Sequence, residues 1–598
     1  MNLQFYLARL KHASLPELIY RVTQYVFEIY LRRGWGSQDY SGGSVSVGKS
    51  EINSLVMPSC KYHVPAQVIN ELLAGSVFSL HEEESIIKEF EAQSGKEFYA
   101  DIALSNASPD IRAIWEPARL QHITALLLYL RQGDRAKHKK AINEFIKGSI
   151  IQWIRNNPFP YGPHYMSAME CGLRVPVFLY CIKLLDNLTN EESELIRDAM
   201  YQHAWLISKR LSLYSSLGNH TIVECVGLVF AGAVFYKADA GRAWLSRGVE
   251  LLRQELDHQI LLDGGPVEQS MNYHRFVLDM YWLTVDFLEK NNLYDCKDIT
   301  PKLMRGESFI AAFQDSYGNL PSIGDSDDGY AIAPGILPVR LQTEHIKEDV
   351  AVFKDAGYTV ITTENDVKLT FDHGPLGMPP LYNHGHADAL SVTLSKEGRM
   401  MLVDPGTYRY NGVPEGRRYF KGTRAHNTVT IDGLDQAVQE TGFIWSRPYA
   451  VDLACAERAD TGYYTSATHN GYSRLDEPVW HTRSLQYFDH ANFLIKDTFS
   501  GTGVHDYELN YQLHPDISAH KQDGWWVLEN SGAVIYLKLL GENDFNFVNG
   551  QKNPLHGWYS PAYGVKEASG VLTCRVHGHV NDVSFATVIC TDIQIEPM

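Results

Sequence analysis

No stretch of about 18 apolar residues occurs in the 598-residue chain, so no transmembrane helix is expected. The N-terminus, MNLQFYLARLKHASLPELIYRV, lacks an unbroken apolar core and a small-residue cleavage site. A secretory signal is therefore not expected, and the cytoplasm is the default compartment, with the periplasm as the alternative. Positive charge is scarce: 53 Lys and Arg stand against 71 Asp and Glu, a formal charge of −18. That balance excludes a general nucleic-acid binder, which needs a basic field. A polyanionic substrate would need a local basic groove set against the global charge. The eight cysteines are dispersed with no CxxC pair, which points to free thiols rather than a disulfide framework. No strict internal repeat is present, which counts against a solenoid.

What is present falls into two halves. Residues 117–131, 136–155, 167–186, 191–211, 220–237, 241–260 and 267–290 each carry apolar residues at spacings of 3–4, with short Gly, Pro, Asn or Asp connectors. Helices of similar length joined by short turns predict antiparallel hairpins in a bundle or toroid. From about residue 350 the period becomes two, in AVFKDAGYTVITTE, VKLTFDHG, ALSVTLSKEGRMMLVD, NTVTIDG, GWWVLENSGAVIYLKLL and GVLTCRVHG. Many short strands with Gly and Asn turns predict an antiparallel sandwich or barrel. The joint is expected in the Gly-, Pro- and Asp-rich stretch 321–338. The fold class is thus multidomain α+β: an N-terminal extension over 1–100, a helical domain over 101–340 and an antiparallel β domain over 341–598. The extension carries one amphipathic helix around 15–32, read as packing on its own domain because its positive charge is sparse.

The chemistry concentrates between Asn383 and Asp435, where NHGHADALSVTL, LVDPGTYRY and RRYFKGTRAHNTVTIDG hold His384, His386, Asp388, Asp404 and His426. Imidazoles and carboxylates on rigid strands make a metal or acid–base site. Three clusters stand out in the helical half. LGNHTIVE sets Asn219 and His220 at a helix start, with Glu224 one turn on. DGGPVEQSMNYHRF brings Glu268, Tyr273, His274 and Arg275 onto an early helical stretch. IWEPARLQH places Trp115, Glu116 and Arg119 at a helix start, where Glu suits the positive dipole end.

Taken together, GNHxxxE, DGGxxEQSxNYHR, GDSDDG and the long motif HGHADALSxxL…LVDPGTYxY…RRYFxxTxAHNTVxIDGxDQ resemble the heparinase II/III family of polysaccharide lyases. The resemblance spans roughly residues 110–450. It implies an α/α toroid followed by an antiparallel β-sandwich, with the cleft between them. It also implies β-elimination at a uronic acid of an acidic polysaccharide. In that chemistry the C5 proton becomes labile once the adjacent carboxylate is neutralised, a base removes it, and an acid protonates the leaving oxygen. Matched residue by residue, Asn219 is the neutraliser, Tyr273 the base, acid or both, and His384 the second acid–base residue. His220, Glu224, Glu268, Arg275, Trp115 and Arg119 are the substrate-binding candidates. His386, Asp404 and His426 match a metal site of part of the family, with a structural Zn²⁺ expected and Ca²⁺ as the alternative. The partner is an acidic polysaccharide or oligosaccharide, glycosaminoglycan-like or alginate-like; a homodimer is left open.

Each residue alone has a plainer explanation. Asn219 also reads as a helix N-cap, Tyr273 as a half-buried aromatic and Asp404 as a turn aspartate. His384 and His386 alternate along an expected strand and would point the same way. Glu170 and Arg174 read as an exposed ion pair; Trp115 and Trp445 fit core packing or sugar stacking. Asn at the neutraliser position, where some relatives have His, leans towards one uronate epimer. The segment LARLKHASLPELIYRV resembles the starts of family members associated with bacterial surface-polysaccharide synthesis. Two further readings stay open: a non-lytic carbohydrate-binding or assembly component of that synthesis, and a glycoside hydrolase pairing Glu268 with Asp327 or Asp388.

Overall fold

The computed structural model describes residues 14–35, 40, 49–74, 84–104, 108–132, 136–214, 217–341, 349–459, 462–488 and 492–591. Two compact units divide the chain. The first gathers 1–259, 276–303 and 329–342, the second 260–275, 304–328 and 343–598. A single boundary near 340 does not describe this division: 260–275, with Tyr273, and 304–328, with Asp325 and Asp327, join the sheet-bearing unit. Backbone contacts explain it. Asp263 accepts from the backbone N–H groups of Asp355 (2.7 Å) and Ala356 (3.0 Å), and Gln269 Nε2 donates to the Ala356 carbonyl at 3.0 Å.

The helical unit is built largely from the expected helices. Ala168–Leu184, Asn190–Lys209, Asn219–Val234 and Asp239–Gln259 lie within a few residues of the sequence boundaries. Asn190–Lys209 starts with a full capping box, Thr189 and Glu192 exchanging side-chain and backbone bonds. Glycine sets one close crossing: a Cβ on Gly172 would lie 2.6 Å from the Val223 carbonyl oxygen, and one on Gly227 would lie 2.9 Å from Gly172 Cα. The expected helix 117–131 is instead two, Ile111–Ala118 and Gln121–Tyr129, because Leu120 between them is left-handed at φ 61°. The amphipathic helix Leu15–Arg32 forms, with Pro at its start and Ser14 accepting from the Glu17 N–H. Among the described residues no helix is long and apolar enough to cross a membrane.

The second unit is antiparallel throughout its three larger sheets. Five strands from Val350–Phe353 to Arg399–Leu402 follow in sequence order. Eight strands form the largest sheet, with Asn492–Gly501 and Ser584–Cys590 paired at its centre. Four more include Val429–Ile431, paired with Val504–Gln512. One apolar core joins all three, running from Val367, Leu369 and Phe371 through Val429 and Ile431 to Leu485, Ile495 and Ile589. Trp445 belongs to this core, as the packing reading expected, and its Nε1 donates to the Gly385 carbonyl at 3.0 Å. That bond holds the loop carrying His384 and His386. The expected helical-hairpin and antiparallel-sheet classes are therefore both observed.

Candidate active site

The site grows from three loops of the sheet-bearing unit. Helix Met271–Lys290 begins after Ser270, whose hydroxyl accepts from the Tyr273 N–H at 3.2 Å and donates to the Asp325 carbonyl at 2.6 Å. Glu268 therefore precedes the helix instead of lying on it. The GDSDDG loop crosses here. Gly324 is left-handed at φ 68°, and a Cβ on it would sit 2.2 Å from the Gln269 carbonyl oxygen. His384 and His386 lie in the turn before strand Val392–Lys396, so strand alternation is not what aligns them. A shared carboxylate does.

That carboxylate is Asp325, fully buried. His384 Nδ1 lies 3.1 Å from its Oδ2 and His386 Nε2 lies 3.1 Å from its Oδ1. Arg417 closes the group, with Nη2 on Oδ2 at 2.8 Å and Nη1 on Oδ1. Burial alone would raise the Asp325 carboxyl, but Arg417 and the two imidazoles hold it well below the usual carboxylate range. Burial likewise opposes charge on His384, yet its hydrogen bond to Asp325 and the carboxylates of Glu268, Asp325 and Asp327 outweigh it and raise its pKa. The Tyr273 ring lies against His384, centroids 4.0 Å apart. Its hydroxyl donates to Asp327 Oδ2 at 2.6 Å and meets the Tyr410 hydroxyl at 2.9 Å. Tyr410 in turn lies under the Arg417 guanidinium, 5.0 Å from carbon to ring centroid. His274 is not a cation beside this phenol: burial lowers its pKa to about 3.

His386, Asp404 and His426 also converge. Asp404 follows strand Arg399–Leu402, and His426 ends the 3₁₀ turn Thr423–Ala425. One ligand atom from each lies within 4.8 Å of the others. His426 Nδ1 meets Asp404 Oδ2 at 3.0 Å, while His386 Nδ1, Asp404 Oδ1 and His426 Nε2 are buried without a hydrogen-bond partner. Three buried polar atoms left unpaired are costly unless something binds them. Two nitrogens and a carboxylate oxygen suit Zn²⁺ better than the all-oxygen preference of Ca²⁺.

In the helical unit Asn219 is the first residue of helix Asn219–Val234 and is buried, but it does not cap it: Gly218 occupies the N-cap, with no side-chain bond. His220 and Trp115 line a cleft of about 490 Å³ with Tyr25, Arg210, Ser212 and Tyr214. Trp115 Nε1 donates to the Pro163 carbonyl at 2.9 Å. Two binding candidates are instead spent on the protein. Glu224 is fully buried, its carboxylate accepting from the Ser212 N–H (2.7 Å) and hydroxyl (2.6 Å). Arg119 is buried against Glu170, at 3.0 and 2.8 Å, and Glu116, at 2.6 Å. Glu170 and Arg174 are not the exposed pair expected. Both are buried; Glu170 binds Arg119, and Arg174 Nε donates to His203 Nε2 at 2.9 Å. The sequence reading passed over Asp325, Tyr410 and Arg417. Each lies within a motif already quoted, but nothing in a motif shows which residues share a carboxylate.

An α/α helical unit and an antiparallel β unit, the latter holding a Tyr–His pair and a His–Asp–His triad, define the class. The chain belongs to the heparinase II/III family: residues 124–302 match the family's "Heparinase II/III N-terminus" and residues 345–589 its "Heparinase II/III-like, C-terminal" region. It is similar to a heparin-sulfate lyase of Bacteroides stercoris, 24% identical over an alignment of 423 residues, covering 64% of this chain and 58% of that one. It is also similar to a heparin-sulfate lyase of Pedobacter heparinus, 23% identical over 331 residues, covering 51% and 47%. The matched stretch thus spans only about half the length of these relatives. Among solved structures, a heparinase III shares the fold at a TM-score of 0.68 and 16% identity, over 92% of this chain and 86% of that one. A second, titled "Heparinase III-BT4657 gene product", does so at 0.57 and 17%, covering 88% of each.

Proposed function

We propose that the protein is a polysaccharide lyase that cleaves a uronic-acid-containing glycosaminoglycan, heparan sulfate first, by β-elimination. The observation that carries this reading is the contact of Tyr273 with His384, 4.0 Å between rings, with His384 Nδ1 committed to Asp325. That bond orients the imidazole so that Nε2 is the nitrogen that exchanges a proton, beside a phenol that can do the same. Asn219 is assigned as the donor that neutralises the substrate carboxylate, on the strength of the GNHxxxE motif. His220 and Trp115, which line the cleft of the helical unit, are assigned to sugar binding, as are Glu268 and Arg275. Glu224 and Arg119 hold the framework behind them.

His386, Asp404 and His426 would hold Zn²⁺, supported by their three unpaired buried atoms. The ion would supply fixed positive charge that braces the loops under His384; no proton step runs through it. His386 contributes to both groups, since its Nε2 is on Asp325 while Nδ1 belongs to the triad.

The test is incubation with heparan sulfate, other glycosaminoglycans and alginate, following the ultraviolet absorbance of the 4,5-unsaturated uronate and the product masses. Unsaturated products lost in Tyr273→Phe are expected. Absence of such product on every uronate, from folded protein with its metal complete, would sink the lyase reading. A glycoside hydrolase would release saturated ends instead, but Asp327, one of its candidate carboxylates, is engaged by the Tyr273 phenol.

A further inference from the structure

GDSDDG supplies more than Asp325. Two residues on, Asp327 Oδ2 accepts from the Tyr273 hydroxyl at 2.6 Å, within the range of short, charge-assisted O–H···O⁻ bonds. Both flanks of Asp327 are pinned. The Asp325 N–H donates to the His384 carbonyl at 2.9 Å, and the Ser326 N–H donates to Thr407 Oγ1 at 2.5 Å. Asn272 Nδ2 donates to the Ser326 hydroxyl, and Asp328, left-handed at φ 56°, accepts from the Tyr563 N–H at 2.9 Å. The loop therefore brings the Asp327 carboxylate onto Tyr273 Oη. A phenol ionises near pH 10 in model peptides. A standing phenolate at this position is thus the wrong picture of the base. For Tyr273 to accept a proton, it must release its own as it does so.

Resting on the lyase reading, we infer that Asp327 is the proton acceptor that lets Tyr273 act as the base. The C5–H bond breaks and its proton passes to Tyr273 Oη, while the proton already on Oη crosses to Asp327 Oδ2. The C5 electron pair becomes the C4=C5 double bond, and the C4–O4 bond breaks with its pair on O4. O4 takes a proton from His384 Nε2. Charge and atoms balance without a co-reactant, and Asp327, which is only partly buried, returns its proton to solvent. Tyr410, at 2.9 Å from Oη, keeps the phenol oxygen in place during the exchange. One loop thus serves both partners: Asp325 orients the acid and Asp327 drains the base.

The experiment compares the full chain with Asp327→Asn, Asp327→Ala and Tyr273→Phe on heparan sulfate. Asp327→Asn is expected to lose about 10²–10³-fold in kcat with KM within about threefold and thermal unfolding unchanged. Formate should restore turnover to Asp327→Ala in proportion to its concentration and do nothing for Tyr273→Phe. An Asp327→Asn variant within about threefold of the parent kcat, or no formate rescue, overturns the inference. A second measurement needs no turnover: a trifluorinated tyrosine placed at position 273, titrated by its absorbance. Removing the Asp327 charge should lower its ionisation pH clearly; equal ionisation in both backgrounds overturns the proton sharing. If no uronate polymer is cleaved by the parent chain, the lyase reading fails and this titration still decides whether Asp327 and Tyr273 share the proton.

Discussion

The sheet-bearing unit contains the same chemical trio twice, and the two copies do different things. Asp497 is fully buried, with Arg483 Nε at 2.7 Å and Nη2 at 3.0 Å and His481 Nε2 at 2.7 Å. Asp325 is equally buried and equally held by an arginine and by histidine. Around Asp497 the chain of donors ends inside the protein. His481 Nδ1 meets His469 Nε2 at 3.2 Å, and His469 Nδ1 accepts from the Gly471 N–H at 3.1 Å. Around Asp325 it does not end: His384 lies against a phenol, and His386 presents a buried nitrogen with no partner. Residue type and burial do not separate scaffold from site here. Where the last donor points does.

Substituting either aspartate leaves an arginine buried without its carboxylate, but the two variants should differ in kcat. Asp325→Asn removes the carboxylate that fixes His384 and is expected to reduce kcat of the proposed elimination by about 10³-fold, measured under saturating substrate. Asp497→Asn leaves Arg483 buried against a neutral amide and is expected to cost about 3–5 kcal/mol in denaturant unfolding, with kcat of the folded fraction unchanged. A large kcat loss in Asp497→Asn, or none in Asp325→Asn, would erase the distinction.

Metal occupancy sharpens it further. One equivalent of zinc per chain is expected by elemental analysis in the parent protein and almost none in His426→Ala. Added zinc should raise the unfolding temperature of the first only; the same rise in both would exclude this triad as the site. The smallest effect lies on the acid side. Burial would raise the Asp497 carboxyl, but Arg483 and His481 pull it from 3.8 down to about 2. A depressed carboxyl stabilises the fold above its unfolded value and loses that contribution as pH falls through its folded one. About 2 kcal/mol should therefore disappear between roughly pH 4 and pH 2, and Asp497→Asn should lack that part of the acid limb.

Much of this was legible beforehand because it depends on local chemistry. Period and caps place Asn190–Lys209 and Asn219–Val234 within a few residues. The single helix expected over 117–131 failed at Leu120, whose left-handed backbone no periodicity reveals. Glu170 and Arg174 sit four apart, so the i,i+4 rule paired them with each other. Packing buried both and gave Glu170 to Arg119 and Arg174 to His203. Glu224 was a substrate-binding candidate through the GNHxxxE motif; burial and Ser212 claimed it. For Glu170 and Arg174, partners far along the chain outcompeted the near one.

By itself the sequence determined the two structural classes, the family, and the residues from which a site could be built, since periodicity and motif are properties of neighbouring residues. The tertiary structure alone decided that Tyr273, Asp325 and Asp327 join the sheet-bearing unit. It also decided that one buried carboxylate, 92 residues before Arg417, gathers the arginine and both histidines. A low-dielectric interior makes such convergence matter, because a buried charge must find its partners wherever the fold brings them.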